Sequence, residues 1–216
     1  MVDFAALTRF IKICGVTSVP DAQLVLDAGA TAVGIILAPS PRQVSLAVAS
    51  AITQRVADDL VRVGVFRDND DDFVVRAVQT AHFDAVQIHG PLSDGLCEHL
   101  TRRGVAVIKA LAIGSGEFDT FDDSMVDAIL IDGPVPGSGV THPWSELHRR
   151  SWTRPIIAAG GLNPQNVDNV LTLTQAWGCD VATGVESSPG VKSAAKVLEF
   201  VTITQRHFDN RKERHD

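Results

Sequence analysis

Two side chains that could move protons stand where predicted β-strands end. Cys14 closes the apolar run Phe10-Ile11-Lys12-Ile13, and Asp132 follows the run Ile129-Leu130-Ile131. A thiol at the carboxyl end of a strand can face a pocket, although an unpaired cysteine is more often a buried packing residue. A carboxyl group after an apolar strand is partly desolvated, which raises its pKa and suits it to general acid catalysis. Asp132 could instead serve only as a turn residue before Gly133.

Further polar residues also follow predicted strands. Arg42 lies in a loop that Pro39 and Pro41 restrain, so it is either a positioned cation or a solvated surface charge. Gln87 and His89 alternate along one strand and therefore point to the same side. His89 could contact a ligand or form a structural hydrogen bond, and the pattern favours the structural role.

Glycines follow the last two predicted strands. Gly160 and Gly161 come directly after one strand, and Gly184, Val185 and Glu186 follow the next. Glycine lets backbone N–H groups approach an anion, and a nearby helix N-terminus favours negative charge. Two such loops at neighbouring strand ends predict a phosphate-binding site, although tight turns alone would also use glycine here.

These residues need a fold that brings strand ends together. Strand patterns cover residues 9–14, 32–37, 62–66, 84–89, 105–110, 126–131, 155–159 and 179–183. Helical patterns alternate with them at 21–28, 46–57, 71–80, 94–103, 143–150, 164–173 and 194–204, with a short polar segment at 114–124. Eight strand–helix units predict an α/β fold, a single-domain (β/α)8 TIM barrel whose functional residues gather at the carboxyl ends of the strands. An open doubly wound sheet is the alternative, but the dinucleotide glycine fingerprint is absent after the first strand.

The barrel is expected to span residues 9–205, with an N-terminal extension at 1–8 and a charged C-terminal tail at 206–216. A net charge of −7 argues against nucleic acid and anionic membranes as partners. Three scattered cysteines form no metal-ligand cluster, so we expect no metal, and such a count is typical of the reducing cytoplasm. Neither a secretory signal nor an apolar run long enough to span a bilayer is visible, so the sequence predicts a cytoplasmic protein.

Seven ordered motifs together resemble one enzyme family. They are Lys12-Ile13-Cys14-Gly15-Val16-Thr17, Ser40-Pro41-Arg42, Val63-Gly64-Val65-Phe66, Gln87-Ile88-His89-Gly90, Leu130-Ile131-Asp132, Ala159-Gly160-Gly161-Leu162-Asn163 and Gly184-Val185-Glu186 with Pro189-Gly190-Val191-Lys192. This set resembles the phosphoribosylanthranilate isomerase family over roughly residues 9–201. No single motif is specific, but their order is.

The resemblance implies a single-domain barrel without metal or organic cofactor. It implies an Amadori rearrangement of N-(5-phosphoribosyl)anthranilate to 1-(2-carboxyphenylamino)-1-deoxyribulose 5-phosphate, the third step from chorismate to tryptophan. By motif, Cys14 becomes the general base, Asp132 the general acid, and Arg42 a residue that assists binding at the anthranilate carboxylate. The substrate is a phosphorylated small molecule, and the expected substrate-binding residues are Arg42, Gln87, His89, Gly160, Gly161, Gly184, Val185 and Glu186.

The chain departs from the family pattern in two loops. Val140 and Pro143 stand where the family often has a lysine and an aspartate, and His142 could replace a lost contact. Ala182 removes a hydroxyl, although Thr183 keeps one. These changes could weaken activity or alter the aromatic part of the substrate.

Several alternatives stay open. A dual-substrate isomerase that also acts in the histidine pathway performs the same rearrangement, but it uses an aspartate at the end of strand one. Indoleglycerol-phosphate synthase relies on lysine and glutamate at its strand ends. A non-catalytic phosphosugar-binding barrel fits the departures but not the retained pair Cys14 and Asp132. Lys12, one layer deeper on the same face, is the candidate that could lower the pKa of Cys14. A monomer or a homodimer is expected.

Overall fold

Eight parallel strands form a closed barrel in the computed structural model, which describes residues 7–57, 59–133 and 144–213. Each strand pairs with the next in sequence, and the first pairs with the eighth to close the ring. They are β1 (Phe10–Cys14), β2 (Ala32–Ile36), β3 (Val61–Arg67), β4 (Ala85–His89), β5 (Ala106–Ala112), β6 (Ala128–Asp132), β7 (Ile156–Ala158) and β8 (Gly178–Val181). The predicted (β/α)8 barrel is confirmed.

The strands are apolar on both faces because both faces are covered. Inward side chains fill the barrel interior, and outward side chains pack beneath the helices in a second apolar layer. Phe10 and Trp177 stack with ring centroids 5.3 Å apart at the amino-terminal ends of β1 and β8. Trp177 Nε1 also donates to the Leu7 carbonyl oxygen over 3.0 Å. The interior is thus packed at this end, and polar groups are concentrated at the other.

Helices connect the strands, and several begin at a serine cap. They are α1 (Val19–Asp27), α2 (Leu46–Arg55), α3 (Asp71–Ala81), α4 (Asp94–Arg102), α5 (Gly116–Thr120), α6 (Val167–Thr174) and α7 (Ala194–Glu213). The Oγ atoms of Ser18, Ser45, Ser93 and Ser115 each accept the backbone N–H three residues on. Each cap satisfies a donor that the helix itself leaves unpaired.

Short elements complete the chain. Single 3-10 helices cover Asp123–Met125, Trp144–Arg149 and Thr183–Val185. The strands β9 (Glu186–Ser188) and β10 (Val191–Lys192) form an antiparallel pair after β8. The helix expected at 143–150 is therefore a 3-10 helix, and the polar segment at 114–124 contains the short α5.

The last helix is longer than the sequence pattern predicts. A charged tail is expected from residue 206, but α7 continues to Glu213. His207 and Phe208 are each 7% exposed, and His207 Nδ1 lies 2.8 Å from Asp168 Oδ1 on α6. The helix continues because these two side chains pack onto the protein between charged neighbours. No helix in the described ranges combines the length and the apolar character needed to cross a membrane.

Candidate active site

A cavity of about 340 Å³ opens at the carboxyl ends of the strands. Most of the predicted site residues line it, although they come from strands far apart in sequence: Cys14, Arg42, Gln87, His89, Asp132, Gly160, Gly161 and Gly184. Val185 and Glu186 do not line it and are buried. The barrel therefore brings the thiol, the carboxyl group and the glycine loops to one cavity.

The Cys14 thiol lies next to the Lys12 ammonium group at the end of β1. Both lie against Gly34 on β2, where an added Cβ would come within 2.8 Å of Cys14 Sγ and of Lys12 Cε. Burial raises the pKa of the Cys14 thiol, while the charge and hydrogen bond of Lys12 oppose that shift. The thiol is therefore mostly protonated at neutral pH, and Lys12 is the group that stabilises its thiolate.

Lys12 is held by Asp180 on the neighbouring strand. Lys12 Nζ donates to Asp180 Oδ1 over 2.8 Å, and the strand register pairs the two residues. Burial alone lowers the pKa of Lys12, but Asp180 and Cys14 outweigh it and keep the pKa above its ordinary value. A fixed positive charge therefore lies one layer below Cys14, where the alternation of the strand predicts it.

Asp132 ends β6 and points into the cavity with 7% of its surface exposed. Burial raises the pKa of Asp132 to about 6, although the Gly133 N–H, donated to Oδ1 over 2.8 Å, opposes the shift. Roughly a tenth of this carboxyl group is then protonated at pH 7. The raised pKa that the sequence predicts for Asp132 is confirmed.

Gln87 and His89 form a neutral polar pair on β4. Burial lowers the pKa of His89 to about 3, and the positive charges of Arg67, Lys12 and Lys109 contribute. Gln87 Nε2 lies 2.8 Å from His89 Nε2, so the neutral imidazole accepts this hydrogen bond. Gln87 Oε1 is buried and has no partner within the described part of the chain. The ring proton of His89 is then on Nδ1, which can donate a hydrogen bond, and at neutral pH the ring carries no charge.

Glu186 joins Arg42 to Lys192 behind the cavity wall. Arg42 Nε and Nη2 donate to Glu186 Oε1 and Oε2 over 2.7 Å each, and Lys192 Nζ donates to Oε1 over 2.9 Å. Lys192 also donates to the Cys14 carbonyl oxygen over 2.6 Å. Burial alone would raise the pKa of Glu186, but Arg42 and Lys192 hold it below its ordinary value. Glu186 therefore positions Arg42 from behind the cavity wall, and the expectation that it contributes to substrate binding stays a prediction.

Val185 is the other expected site residue that lies outside the cavity lining. Its side chain is completely buried, and its carbonyl oxygen accepts the Ser193 N–H over 2.9 Å. Its place in the short 3-10 helix after β8 turns the apolar side chain into the core. Val185 therefore anchors the loop that carries Gly184.

The two glycine loops pack backbone against backbone. Gly160 and Gly161 have φ angles of +85° and +68°, a region that other residues rarely adopt. A Cβ at Gly184 would lie 1.9 Å from the Leu162 carbonyl oxygen. Neither Gly160 nor Gly161 donates its backbone N–H to a group in the ranges that the structure describes. Their donors are therefore available to an anion in the cavity.

Three residues at or behind the cavity are not identified by the sequence pattern: Gly34, Arg67 and Asp180. Lys192 is part of the seventh motif, but the motif assigns it no role. Arg67 and Asp180 occupy inward positions near strand ends, so testing every such position for charge would have found both. The sequence gives no indication that Gly34 matters, because its importance comes from the Cys14 and Lys12 side chains that pack against it from the neighbouring strand.

The departures from the family pattern are partly explained. The Thr183 hydroxyl accepts from Arg42 Nη2 over 3.3 Å, and the neighbouring Ala182 carbonyl oxygen accepts from Lys192 over 3.3 Å. Thr183 therefore supplies a hydroxyl next to the cavity cation. Val140, His142 and Pro143 lie outside the described residues.

The chain is a (β/α)8-barrel protein in which a buried thiol and a carboxyl group of raised pKa face one cavity, and these are the types of group that general acid–base catalysis uses. The described residues contain no group of three or more His, Cys, Asp or Glu side chains placed to hold a metal ion.

The comparisons identify the family within that class. The model of the N-(5′-phosphoribosyl)anthranilate isomerase family matches residues 11–203. The isomerase of Oceanobacillus iheyensis is 35% identical over 202 residues, which cover 91% of this chain and 97% of that relative. The crystal structure of the Thermus thermophilus isomerase is 36% identical, with a TM-score of 0.81 over 91% of this chain and 98% of that one. The chain belongs to the N-(5′-phosphoribosyl)anthranilate isomerase family.

A third similar structure holds a ligand. It is a phosphoribosyl anthranilate isomerase in complex with reduced 1-(o-carboxyphenylamino)-1-deoxyribulose 5-phosphate. It is 27% identical to this chain, with a TM-score of 0.77 over 92% of this chain and 99% of that one.

Proposed function

We propose that this protein converts N-(5-phosphoribosyl)anthranilate into 1-(2-carboxyphenylamino)-1-deoxyribulose 5-phosphate, as an aldose–ketose isomerase of tryptophan biosynthesis. The observation that carries the proposal is the pairing of Cys14 and Asp132 in one cavity, in a chain that belongs to this family. All three cysteines are unpaired, which supports the proposed cytoplasmic location.

The substrate phosphate binds at the loops after β7 and β8. The N–H groups of Gly160 and Gly161, which have no partner among the described residues, support this, as does the close approach of Gly184 to Leu162. In (β/α)8 barrels this pair of loops commonly holds a phosphate group. Anchoring the phosphate there fixes the ribose over the middle of the cavity, between Cys14 and Asp132.

Asp132 acts first, as the general acid. In its neutral form it gives a proton to the furanose ring oxygen, the bond from that oxygen to C1 breaks, and the nitrogen lone pair forms a Schiff base. The pKa of about 6 supports this role, because an ordinary exposed aspartate would almost never be protonated at neutral pH.

Cys14 acts second, as the general base. Its thiolate takes the proton from C2, and the electrons of that C–H bond move to neutralise the iminium and form an enolamine. The enolamine then gains a proton at C1 as the C2 hydroxyl loses one, which produces the ketone. The buried ammonium group of Lys12 supports the thiolate through charge and a hydrogen bond.

Arg42 presents a cation at the rim of the cavity. Its Nε and Nη2 atoms are held by Glu186 and Thr183, whereas Nη1 has no hydrogen bond to any described residue. This arrangement supports a part in substrate binding, with Glu186 and Lys192 fixing the position of the guanidinium group.

The test is turnover of freshly made N-(5-phosphoribosyl)anthranilate, followed by the loss of its fluorescence. Cys14→Ala and Asp132→Asn should each lower kcat by about a hundredfold or more, with far smaller effects on KM. Cys97→Ala is the control, because this thiol lies on the buried face of α4 and does not line the cavity. Near-normal kcat in either active-site variant would remove that residue from the mechanism.

A further inference from the structure

Lys192 is a buried cation that the proposed mechanism uses only to support Arg42 through Glu186. Its side chain has no exposed surface, whereas its neighbour on β10, Val191, is half exposed. A lysine is almost never fully buried unless it is paired, because burial disfavours its charge. The position of Lys192 therefore depends on partners inside the protein.

The Lys192 ammonium group has one acceptor for each of its three N–H donors. Nζ donates to the Cys14 carbonyl oxygen over 2.6 Å, to Glu186 Oε1 over 2.9 Å and to the Ala182 carbonyl oxygen over 3.3 Å. A neutral amine has only two such donors, so three acceptors select the protonated form. Burial lowers the pKa of Lys192, and the hydrogen bond and charge of Glu186 oppose that shift. With every proton engaged, Lys192 holds its neighbours in place and does not transfer protons.

Two of these acceptors lie on the strands that close the barrel. Cys14 ends β1, and Ala182 directly follows the last residue of β8. The pairing of β1 with β8 ends at Ile13 and Val181, one residue before the two acceptors. Lys192 therefore joins both strands at the point where their own ladder stops. It fixes the backbone from which the Cys14 thiol reaches into the cavity.

Two groups of ion pairs lie around the Cys14 thiol. Together they contain three cations and two carboxylates: Lys12 with Asp180, and Arg42 and Lys192 with Glu186. With both carboxylates ionised, the first group has no net charge, whereas the second has one positive charge in excess. The remaining titratable side chains that line the cavity come from β3, β4 and β6: Arg67, His89 and Asp132.

Lys192 connects this excess positive charge to the Cys14 backbone. Burial raises the pKa of the Cys14 thiol, Lys12 opposes that shift most strongly, and Lys192 acts in the same direction as Lys12. Asp180 partly cancels the effect of Lys12, because it is the counter-ion of that lysine and raises the pKa of the thiol. A second cation is therefore needed to offset burial.

We propose that Lys192 is a positioning residue for the proposed base: it fixes the end of β1 at the Cys14 carbonyl oxygen and brings a positive charge to the residue that must ionise. The inference rests on the proposed function, because it takes Cys14 to be the base. The competing explanation is that Lys192 acts only through Glu186 on the position of Arg42. Such a role would affect substrate binding and leave the thiol unchanged.

The experiment measures the ionisation of Cys14 in the free protein. Iodoacetamide alkylates the thiolate, so the rate at Cys14 is followed against pH by mass spectrometry of the peptide that contains it. In Lys192→Met the pH at which Cys14 ionises should rise by about one unit, and alkylation at pH 7 should slow by about tenfold. In steady-state kinetics kcat should fall by a similar factor, with a smaller change in KM. Lys192→Arg, which keeps the charge, should recover part of both losses.

A second variant and a control complete the experiment. Lys192→Gln keeps an N–H donor but has no charge, so Cys14 should again ionise at a higher pH. It replaces the methionine variant if urea unfolding shows that the latter does not fold. Lys196→Met is the matched control, because Lys196 Nζ donates to the Glu186 carbonyl oxygen over 2.8 Å and has no hydrogen bond to Cys14. This variant should change neither the ionisation of Cys14 nor kcat.

The proposal is wrong if Cys14 ionises at the same pH in the folded Lys192 variants and in wild type. It is also wrong if these variants raise KM at unchanged kcat, or if Lys196→Met shifts the ionisation of Cys14 equally. Failure of the proposed function is distinguishable, because the wild-type protein would then not turn over the substrate. The alkylation of Cys14 needs no substrate and still reports what Lys192 does to the thiol.

Discussion

The Lys12 ammonium group donates to Asp180 Oδ1 over 2.8 Å, and the same ammonium group lies beside the Cys14 thiol. Lys12 is fully buried, so it can remain charged only because Asp180 balances it. The pair therefore keeps a positive charge fixed beneath the proposed base. Lys12 is therefore the neighbour that stabilises the Cys14 thiolate, whereas burial alone would favour the protonated thiol.

Removing this charge should inactivate the enzyme. In Lys12→Met the Cys14 thiolate loses its counter-charge, so the pKa of Cys14 should rise and kcat should fall by about a hundredfold. Asp180 is left unbalanced, and the protein should lose about 3 kcal/mol of stability. Thiolate absorbance against pH, urea unfolding and steady-state kinetics measure the three effects.

Lys109→Met is the matched control. Lys109 is also fully buried, but it lies on β5 outside the cavity lining, where it pairs with Glu117 at 2.7 Å. This variant should lose comparable stability and keep its kcat. An unchanged kcat in Lys12→Met, or an equal fall in both variants, would contradict the role given to Lys12.

Replacing the proposed acid should stabilise the fold. The folded-state pKa of Asp132 is about 6 against an ordinary 3.8, so the folded state resists ionisation and wild-type stability rises as pH falls from about 7 towards 4. An amide in place of this carboxyl group cannot ionise and keeps an acceptor for the Gly133 N–H. Asp132→Asn should therefore gain roughly 2–3 kcal/mol at pH 7.5 and about half as much at pH 5. Urea unfolding at both values measures the gain, and equal or lower stability at pH 7.5 would contradict it.

The activity profile should rise with pH to about 6. In the reactive form Asp132 is protonated and Cys14 is a thiolate. The more abundant form carries the same number of protons, but Asp132 is ionised and Cys14 is protonated. We therefore expect kcat/KM to rise to about pH 6, stay level, and fall above the raised pKa of Cys14. The charges that act on Asp132 are those of Arg67, Lys12 and Asp180.

The substrate phosphate also titrates near pH 6, at about the same value as the acid. A carbon-13 NMR titration of the Asp132 carboxyl group in the free protein separates the two, with Asp132→Asn to assign the signal. A carboxyl signal that titrates near pH 4 would refute the assignment of the acidic limb to Asp132.

One methyl group added at either of two glycines should separate an effect on Cys14 and Lys12 from an effect on the packing of the barrel. At Gly34 the added Cβ would come within 2.8 Å of Cys14 Sγ and Lys12 Cε, so Gly34→Ala should displace both and lower kcat by about tenfold to a hundredfold. At Gly64 on β3 the three atoms nearest to an added Cβ belong to the rings of Phe66 and Phe83, at 2.8 Å.

Gly64→Ala should therefore cost about 1–3 kcal/mol of stability and leave kcat unchanged. Kinetics and urea unfolding of both variants provide the comparison. If the two alanines reduced kcat equally, the effect would come from general disturbance of the barrel and not from the Cys14–Lys12 contact.

The sequence predicts what depends on local pattern and misses what depends on contacts between strands. The apolar runs and the polar residues that follow them predicted the barrel. They also predicted that Cys14 and Asp132 lie at the same end of it. Glu186 was expected to take part in substrate binding, and the fold places Arg42 and Lys192 on either side of its carboxylate. Its role could not be deduced from a motif, because both partners come from other elements.

The length of the C-terminal helix also depends on contacts with other elements, which the sequence pattern does not show. Charged residues around His207 and Phe208 indicate a tail, and only the surface formed by the earlier elements makes burial of these two side chains favourable. Arg67 likewise follows a strand as an ordinary charged residue. That its guanidinium group has no partner among the described residues becomes visible only when the cavity and the paired cations around it are assembled.

The central claim is that Cys14 and Asp132 act together as base and acid on N-(5-phosphoribosyl)anthranilate. The most direct measurement is a single-turnover assay of pure protein in excess over freshly made substrate, followed by substrate fluorescence. We predict rapid loss of fluorescence with wild type, and a rate lowered by about a hundredfold or more with Cys14→Ala, with Asp132→Asn and with both together. Absence of turnover by wild type, or a near-normal rate in either single variant, would contradict the account.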